Sequence, residues 1–124
     1  MSAAHDLHGF QVFECPAEGP PLRSDCDATD LIGTARSHGA SLIAIPTSRL
    51  DDDFFQLRTR IAGEILQRFV TYRVRVAIVG DISRHLSDSS ALRDFVRECN
   101  RGDQIWFVSD LAELARRLST GEAP

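Results

Sequence analysis

No lysine occurs in this chain of 124 residues; its 14 basic side chains are all arginines, scattered, with no cluster longer than Arg116-Arg117. Against 18 acidic residues they leave a formal net charge of −4. The basic arm or face that would track a phosphate backbone is therefore missing, and nucleic-acid binding is disfavoured. Cysteine is sparse. Cys15, Cys26 and Cys99 are odd in number and include no Cys-x-x-Cys spacing, which suits a reducing compartment and neither a disulfide framework nor a zinc site. Long apolar runs are also lacking, and the opening MSAAHDLHGF has neither the basic nor the apolar part of an export signal. A cytoplasmic protein without membrane contact is expected. Nucleophile elbow, P-loop and dinucleotide fingerprint are absent, so no cofactor is expected. No metal is expected either, since His5 and His8, though spaced like helical ligands, fall in a terminal segment expected to be mobile.

The composition, 43% hydrophobic and 26% charged, is that of one ordinary globular domain. Its elements alternate. GFQVFEC, residues 9–15, reads as an edge strand stopped by Pro16. Ser24, with Asp27 three residues on, caps a helix that carries Ala28, Leu31, Ile32 and Ala35 on one face and ends at His38-Gly39. SLIAI, residues 41–45, is an apolar strand between Gly39 and Pro46. A second helix is predicted over about residues 52–70, followed by a strand over 73–79 that reads as the central one. Ser87 or Asp88 caps a third helix, closed by Asn100-Arg101-Gly102. QIWFV, residues 104–108, is a further strand, and Ser109-Asp110 with Glu113 starts a last helix. The order β-α-β-α-β-α-β-α predicts an α/β fold: a single small domain at 9–119 with a mostly parallel four-stranded sheet and alternating helices. Residues 1–8 and 120–124 are expected to be flexible ends.

The most informative stretch is DFFQLRTRIAGEILQRFVTYRVRVAIVGD, residues 53–81, an amphipathic helix running into a buried strand that ends in a Gly-Asp turn. On a wheel at ~100° per residue, Phe54, Phe55, Leu57, Ile61, Ala62, Ile65, Leu66, Phe69 and Val70 fill an arc of roughly 220°. A helix lying on its own sheet needs about 100° of apolar stripe. The surplus, with Phe54, Phe55 and Leu66 as its markers, is expected to face a neighbouring helix, a second protomer or a partner protein.

Three segments, DDDFFQLRTRIAGEILQRF, YRVRVAIVGDIS and ALRDFVRECNRGDQIWFVSD, resemble the small bacterial family known as domain of unknown function 4180, over roughly residues 27–118. The resemblance implies no activity, ligand or catalytic residue, because that family has none established. The family's runs carry glycine after Leu-x-Thr, where this chain has Arg60. The layout of strands and helices is also similar to STAS-like domains, exemplified by anti-sigma-factor antagonists, by analogy only. The phosphorylated Asp-Ser-Ser/Thr-Gly turn of those antagonists is replaced here by Asp51-Asp52-Asp53-Phe54, so no phosphoswitch is carried over to Thr47, Ser48 or Thr59.

A site is expected at the C-terminal strand ends, where the helices begin: Thr47-Ser48 after Pro46, Asp81 and Ser83 after Gly80, and Ser109-Asp110. Arg58 lies inside the apolar arc, where a guanidinium is costly unless an anion meets it. It reads either as a clamp for an anionic small molecule, with Thr47, Ser48 and Asp81, or as a structural partner of Asp51, Asp52, Asp53 or Asp81, or as a stem reaching solvent. Asp81, Ser83 and His85 supply an acid, a hydroxyl and an imidazole that could serve acid-base chemistry or simply cap and solvate a turn. Tyr72, Arg73 and Arg75, at the opposite edge of the sheet, read as turn stabilisers. Two functions follow. The first is a regulatory or adaptor-type module working through protein contacts, as a homodimer or with a partner protein. The second is a cofactor-free small-molecule-binding protein or enzyme with an anion-accepting pocket at the strand ends.

Overall fold

The computed structural model describes residues 3–7, 10–16 and 18–119, with backbone alone at 3–7 and 119. Four short apolar segments, β2 (Phe10–Glu14), β3 (Leu42–Pro46), β4 (Arg75–Val79) and β5 (Ile105–Val108), lie side by side in chain order. All three pairings are parallel, with Val12 opposite Leu42, Leu42 opposite Arg75 and Val76 opposite Ile105. This is the α/β domain with four parallel strands that the alternation of elements predicts. A fifth strand, β1 (Ala3–Leu7), pairs antiparallel with β2 in the segment expected to lie outside the domain. Consequently β2 is not an edge, and β3 rather than β4 is the middle strand.

The strictly sequential order decides where the helices go. Crossovers of one hand between successive parallel neighbours all fall on the same side of the sheet, and the core is divided accordingly. Phe13, Ile43, Ile45, Val76, Ile78 and Phe107 point to one face, packed against α1 (Asp25–Ser37), α2 (Ile61–Thr71) and α4 (Ser90–Arg101). Val12, Leu42, Ala44, Ala77, Trp106 and Val108 point to the other, covered by Leu114 and Leu118 of α5 (Leu111–Ser119), which reaches from β5 back to β1. A sheet wound in one direction has no point of strand-order reversal, the usual origin of a strand-end cleft in doubly wound folds. Any cleft must therefore arise from the loops.

Local signals explain most helix ends. The Ser24 hydroxyl accepts from the Asp27 amide while the Asp27 carboxylate accepts from the Ser24 amide, a capping box. The third predicted helix is α4, capped by Ser89 rather than Ser87 or Asp88, its hydroxyl accepting from the Leu92 amide at 3.1 Å; an additional short helix, α3 (Ser83–Asp88), fills the segment before it. β4 begins two residues later than the alternation suggests, because Arg73 has φ 59° and takes the left-handed place that ends α2.

The largest departure concerns residues 52–60. No single helix runs over 52–70. Three 3-10 turns, Thr47–Arg49, Asp52–Phe55 and Leu57–Thr59, precede Arg60, whose φ of 64° is left-handed, and only then does α2 start. The Thr59 hydroxyl donates to the carbonyls of Asp53 and Gln56, both at 2.8 Å, which ties the second turn to the third. Because a left-handed residue resets the helical phase, both halves can aim their apolar side chains inward. Phe54, Phe55 and Leu66 are 1%, 4% and 3% exposed. They belong to this chain's own core and are not a surface for a partner; of the predicted arc, Val70 alone is exposed, with Leu57 and Ile61 half-buried.

Candidate functional site

Gly80 ends β4 with φ +144°, and a Cβ there would lie 2.3 Å from Thr47 Oγ1. The carboxyl ends of β3 and β4 are therefore in direct contact, Thr47 filling the space between them. The opening lies one strand over. Between the ends of β4 and β5 is a crevice of about 260 Å³, floored by Ile82, Leu86, Val96, Phe107 and Val108 and rimmed by Asp81, Ser83, Asn100, Ser109 and Glu113.

Each rim side chain holds local structure. Asp81 accepts hydrogen bonds from the Ser83 hydroxyl and, at 2.9 Å, from the Ser83 amide. The hydroxyl first and the amide second hold its carboxyl below the ordinary aspartate range, so Asp81 is an anion at neutral pH. Glu113 accepts from the Ser109 amide at 2.7 Å and the Ser109 hydroxyl at 3.0 Å, while Asp110 accepts from the Glu113 amide at 2.8 Å, completing the start of α5. Asn100 matches the outer edge of β5: its Oδ1 accepts from the Phe107 amide at 2.7 Å and its Nδ2 donates to the Phe107 carbonyl at 3.3 Å. An amide placed this way satisfies backbone groups that would otherwise offer a free strand edge.

Asp81 and Ser83 thus come together as the sequence suggests, but the other expected members do not join them. Arg58 lies in the third 3-10 turn, exposed, without a hydrogen bond or ion pair to any described residue; the burial expected of it came from the phase of a helix that is broken at Arg60. Thr47 packs on Gly80, and Ser48 is exposed. His85 stacks on the Phe55 ring at 4.2 Å and 13°, with Nε2 3.2 Å from an Arg84 guanidinium nitrogen and 3.8 Å from Asp52 Oδ1. No arginine lines the crevice, whose charged rim is acidic, so an anionic small molecule is not what it suits. Among the described residues no group of three His, Cys, Asp or Glu side chains is placed to hold a metal ion. Asn100 and Glu113 were readable in the sequence only as a helix end and a helix start, and nothing local marked them as neighbours of Asp81.

At the opposite end of the sheet, the Arg75 guanidinium lies 4.7 Å from the Trp106 ring centre and 5.6 Å from that of Phe10, with Arg117 4.3 Å from Trp106. Arg75 Nε donates to the Asp103 carbonyl at 2.6 Å, and Arg117 donates to the Asn100 carbonyl at 2.7 Å. Burial lowers the Arg75 pKa, Asp103 offsets part of this, and Arg117 adds to it. Tyr72 is held by Arg36, which donates to its carbonyl at 2.6 Å and lies 5.5 Å over its ring. These contacts brace the turns into β4 and β5.

A family model described as domain of unknown function DUF4180 matches residues 7–118. The chain belongs to that family. No curated protein and no solved structure matches it. Membership in DUF4180 explains one local oddity: the glycine carried by the family's runs after Leu-x-Thr falls at Arg60, where φ of 64° favours glycine. For this DUF4180 domain, no helix among the described residues is long and apolar enough to cross a membrane.

Proposed function

We propose that this DUF4180 domain is a regulatory or adaptor-type module of the bacterial cytoplasm that acts through protein contacts, with a second copy or a partner protein, and carries out no chemistry of its own. One observation carries the reading. Every polar side chain around the strand-end crevice is engaged in a cap, a turn or a strand edge: the Ser83 and Ser109 hydroxyls are each held by the carboxylate of their own turn, and among the described residues no histidine or cysteine lines the crevice to activate or replace them. The layout, sequential strands with three helices on one face, is also compatible with the STAS-like analogy, in which such domains act by binding.

The apolar floor of the crevice favours a second reading, a cofactor-free small-molecule-binding protein or enzyme, whose ligand would be neutral or cationic because Asp81 and Glu113 sit on the rim. A metabolite survey by thermal shift and by amide NMR separates the two. The adaptor reading expects no saturable ligand. A metabolite that raises Tm, shifts the amides of Ser83, Asn100 and Ser109, and loses both effects in the Asp81→Asn, Ser83→Ala variant would replace it with the second.

A further inference from the structure

Between α2 and α4, on the side away from the sheet, runs a groove of about 530 Å³ lined by Leu57, Arg60, Gly63, Glu64, Gln67 and Phe95. Leu57 and Phe95 are half-buried and supply its apolar surface. Above Gly63 the space is open, with nothing within 4 Å of where a Cβ would stand. Arg60 and Glu64 flank it, both exposed, and neither side chain has a hydrogen bond or ion pair to a described residue. Four residues apart on a helix such a pair could meet, but the left-handed backbone of Arg60 places it before α2 proper. An arginine held at φ 64° is an unfavourable backbone choice that calls for some offsetting role.

Arg60 opens α2, its carbonyl accepting from the Glu64 amide at 3.0 Å, and the two residues share a midpoint at position 62. When two helices cross antiparallel about a two-fold axis, residue i meets residue j of the mate and j meets i. An axis at position 62 sets Arg60 against Glu64 of the mate twice over and Gly63 beside the crossing, where a missing side chain lets backbones approach. We infer that this groove is where a second copy of the chain docks, α2 against α2, closed by two Arg60–Glu64 ion pairs. The inference rests on reading the chain as a protein-binding module and names the surface of one such contact, replacing Phe54, Phe55 and Leu66, which are internal.

The test is the solution mass of the full chain by sedimentation equilibrium between about 5 and 500 µM, the range in which a contact of this modest size should titrate. The wild type should rise from the 13.7 kDa of one chain towards twice that value. Arg60→Glu and Glu64→Arg should each remain monomeric, since each sets like charges against each other, and an equimolar mixture of the two should dimerise because both cross-pairs are then opposite in charge. Gly63→Gln should weaken the wild-type dimer at least tenfold while leaving the folded monomer intact, as judged by circular dichroism and Tm. A wild type that stays monomeric throughout would overturn the inference, and so would a dimer that ignores the charge changes. Either result leaves the adaptor reading standing, because that reading is tested by the metabolite survey and not by self-association.

Discussion

Residues 51–60 and 61–71 are adjacent and feed side chains into the same core on one sheet face, yet one is a chain of 3-10 turns and the other a regular helix. The difference is a matter of phase. From Ile61 onwards Ala62, Ile65, Leu66 and Phe69 recur at helical spacing and are all buried. Before it Phe54 and Phe55 are consecutive and both buried, their rings 5.1 Å apart at 73°, a pattern that tighter turns allow and a surface α-helix does not. Hydrophobic periodicity is therefore informative only within one unbroken helix. A single left-handed residue ends its authority.

Phe54→Ala is the sharpest way to ask whether the irregular region is as much a part of the core as the regular one. With Phe54 1% exposed, its truncation should destabilise by about 3–5 kcal/mol. Ile65→Ala, at 0% exposure in α2, should cost about 2–5 kcal/mol in the same urea titrations. A loss below about 1 kcal/mol for Phe54 would mean that the 3-10 turns lie on the core without contributing to it. Gly80→Ala probes the contact between the carboxyl ends of β3 and β4, since its new methyl would clash with Thr47 Oγ1 on a backbone with φ +144°. A loss of about 3 kcal/mol is expected. Adding Thr47→Ala should recover only part of it, because the φ remains unfavourable for alanine.

Arg60→Gly has the opposite sign. Removing the side chain from a left-handed position should stabilise the monomer by about 1 kcal/mol, measured well below the concentration at which copies associate. If stability falls instead, Arg60 makes a contribution that the αL penalty does not outweigh, and the reset of phase is not simply tolerated.

How much of this was readable depends on whether the signal was local. The capping box at Ser24, the Gly39 stop, the Glu113 start of α5 and the apolar strand at Leu42–Pro46 are each written within a few residues, and the parallel α/β sheet follows from their order. Asp81 and Ser83 were readable for the same reason, as the turn after a buried strand. Arg58 was not, because its placement relied on carrying a wheel through Arg60. Asn100 and Glu113 belong to the crevice only through the pairing of β5 with β4, which puts the end of α4 and the start of α5 beside Gly80. No spacing within the chain encodes that. The strand at Ala3–Leu7 was missed because its five residues, AAHDL, are short and weakly apolar, and pairing rather than propensity makes it a strand.

The smallest effect contrasts the ion pairs that the two regions make. Arg68 of α2 meets Asp25 at the start of α1, whereas Arg84 meets Asp52 in the second 3-10 turn with both side chains more than two-thirds exposed. The Arg68 hydrogen bond, more than its charge alone, lowers the Asp25 pKa below the ordinary aspartate value. The unfolded chain therefore takes up a proton on Asp25 at a higher pH than the folded chain does. The stabilisation from this pair is fully present above the ordinary value of about 3.9 and is lost as pH falls through the lower folded value. Asp25→Asn should accordingly flatten the fall of Tm with acid below about pH 4, leaving the slope above it unchanged. Asp52→Asn should leave the acid limb where it was, since two exposed, solvent-screened side chains have little to lose. Equal flattening by both variants would mean that the irregular region is tied to its neighbours by charge as firmly as α2 is. In that case Arg84, with His85 stacked beside it on Phe55, would be the fastening, and its removal should loosen the 3-10 turns before it disturbs α2.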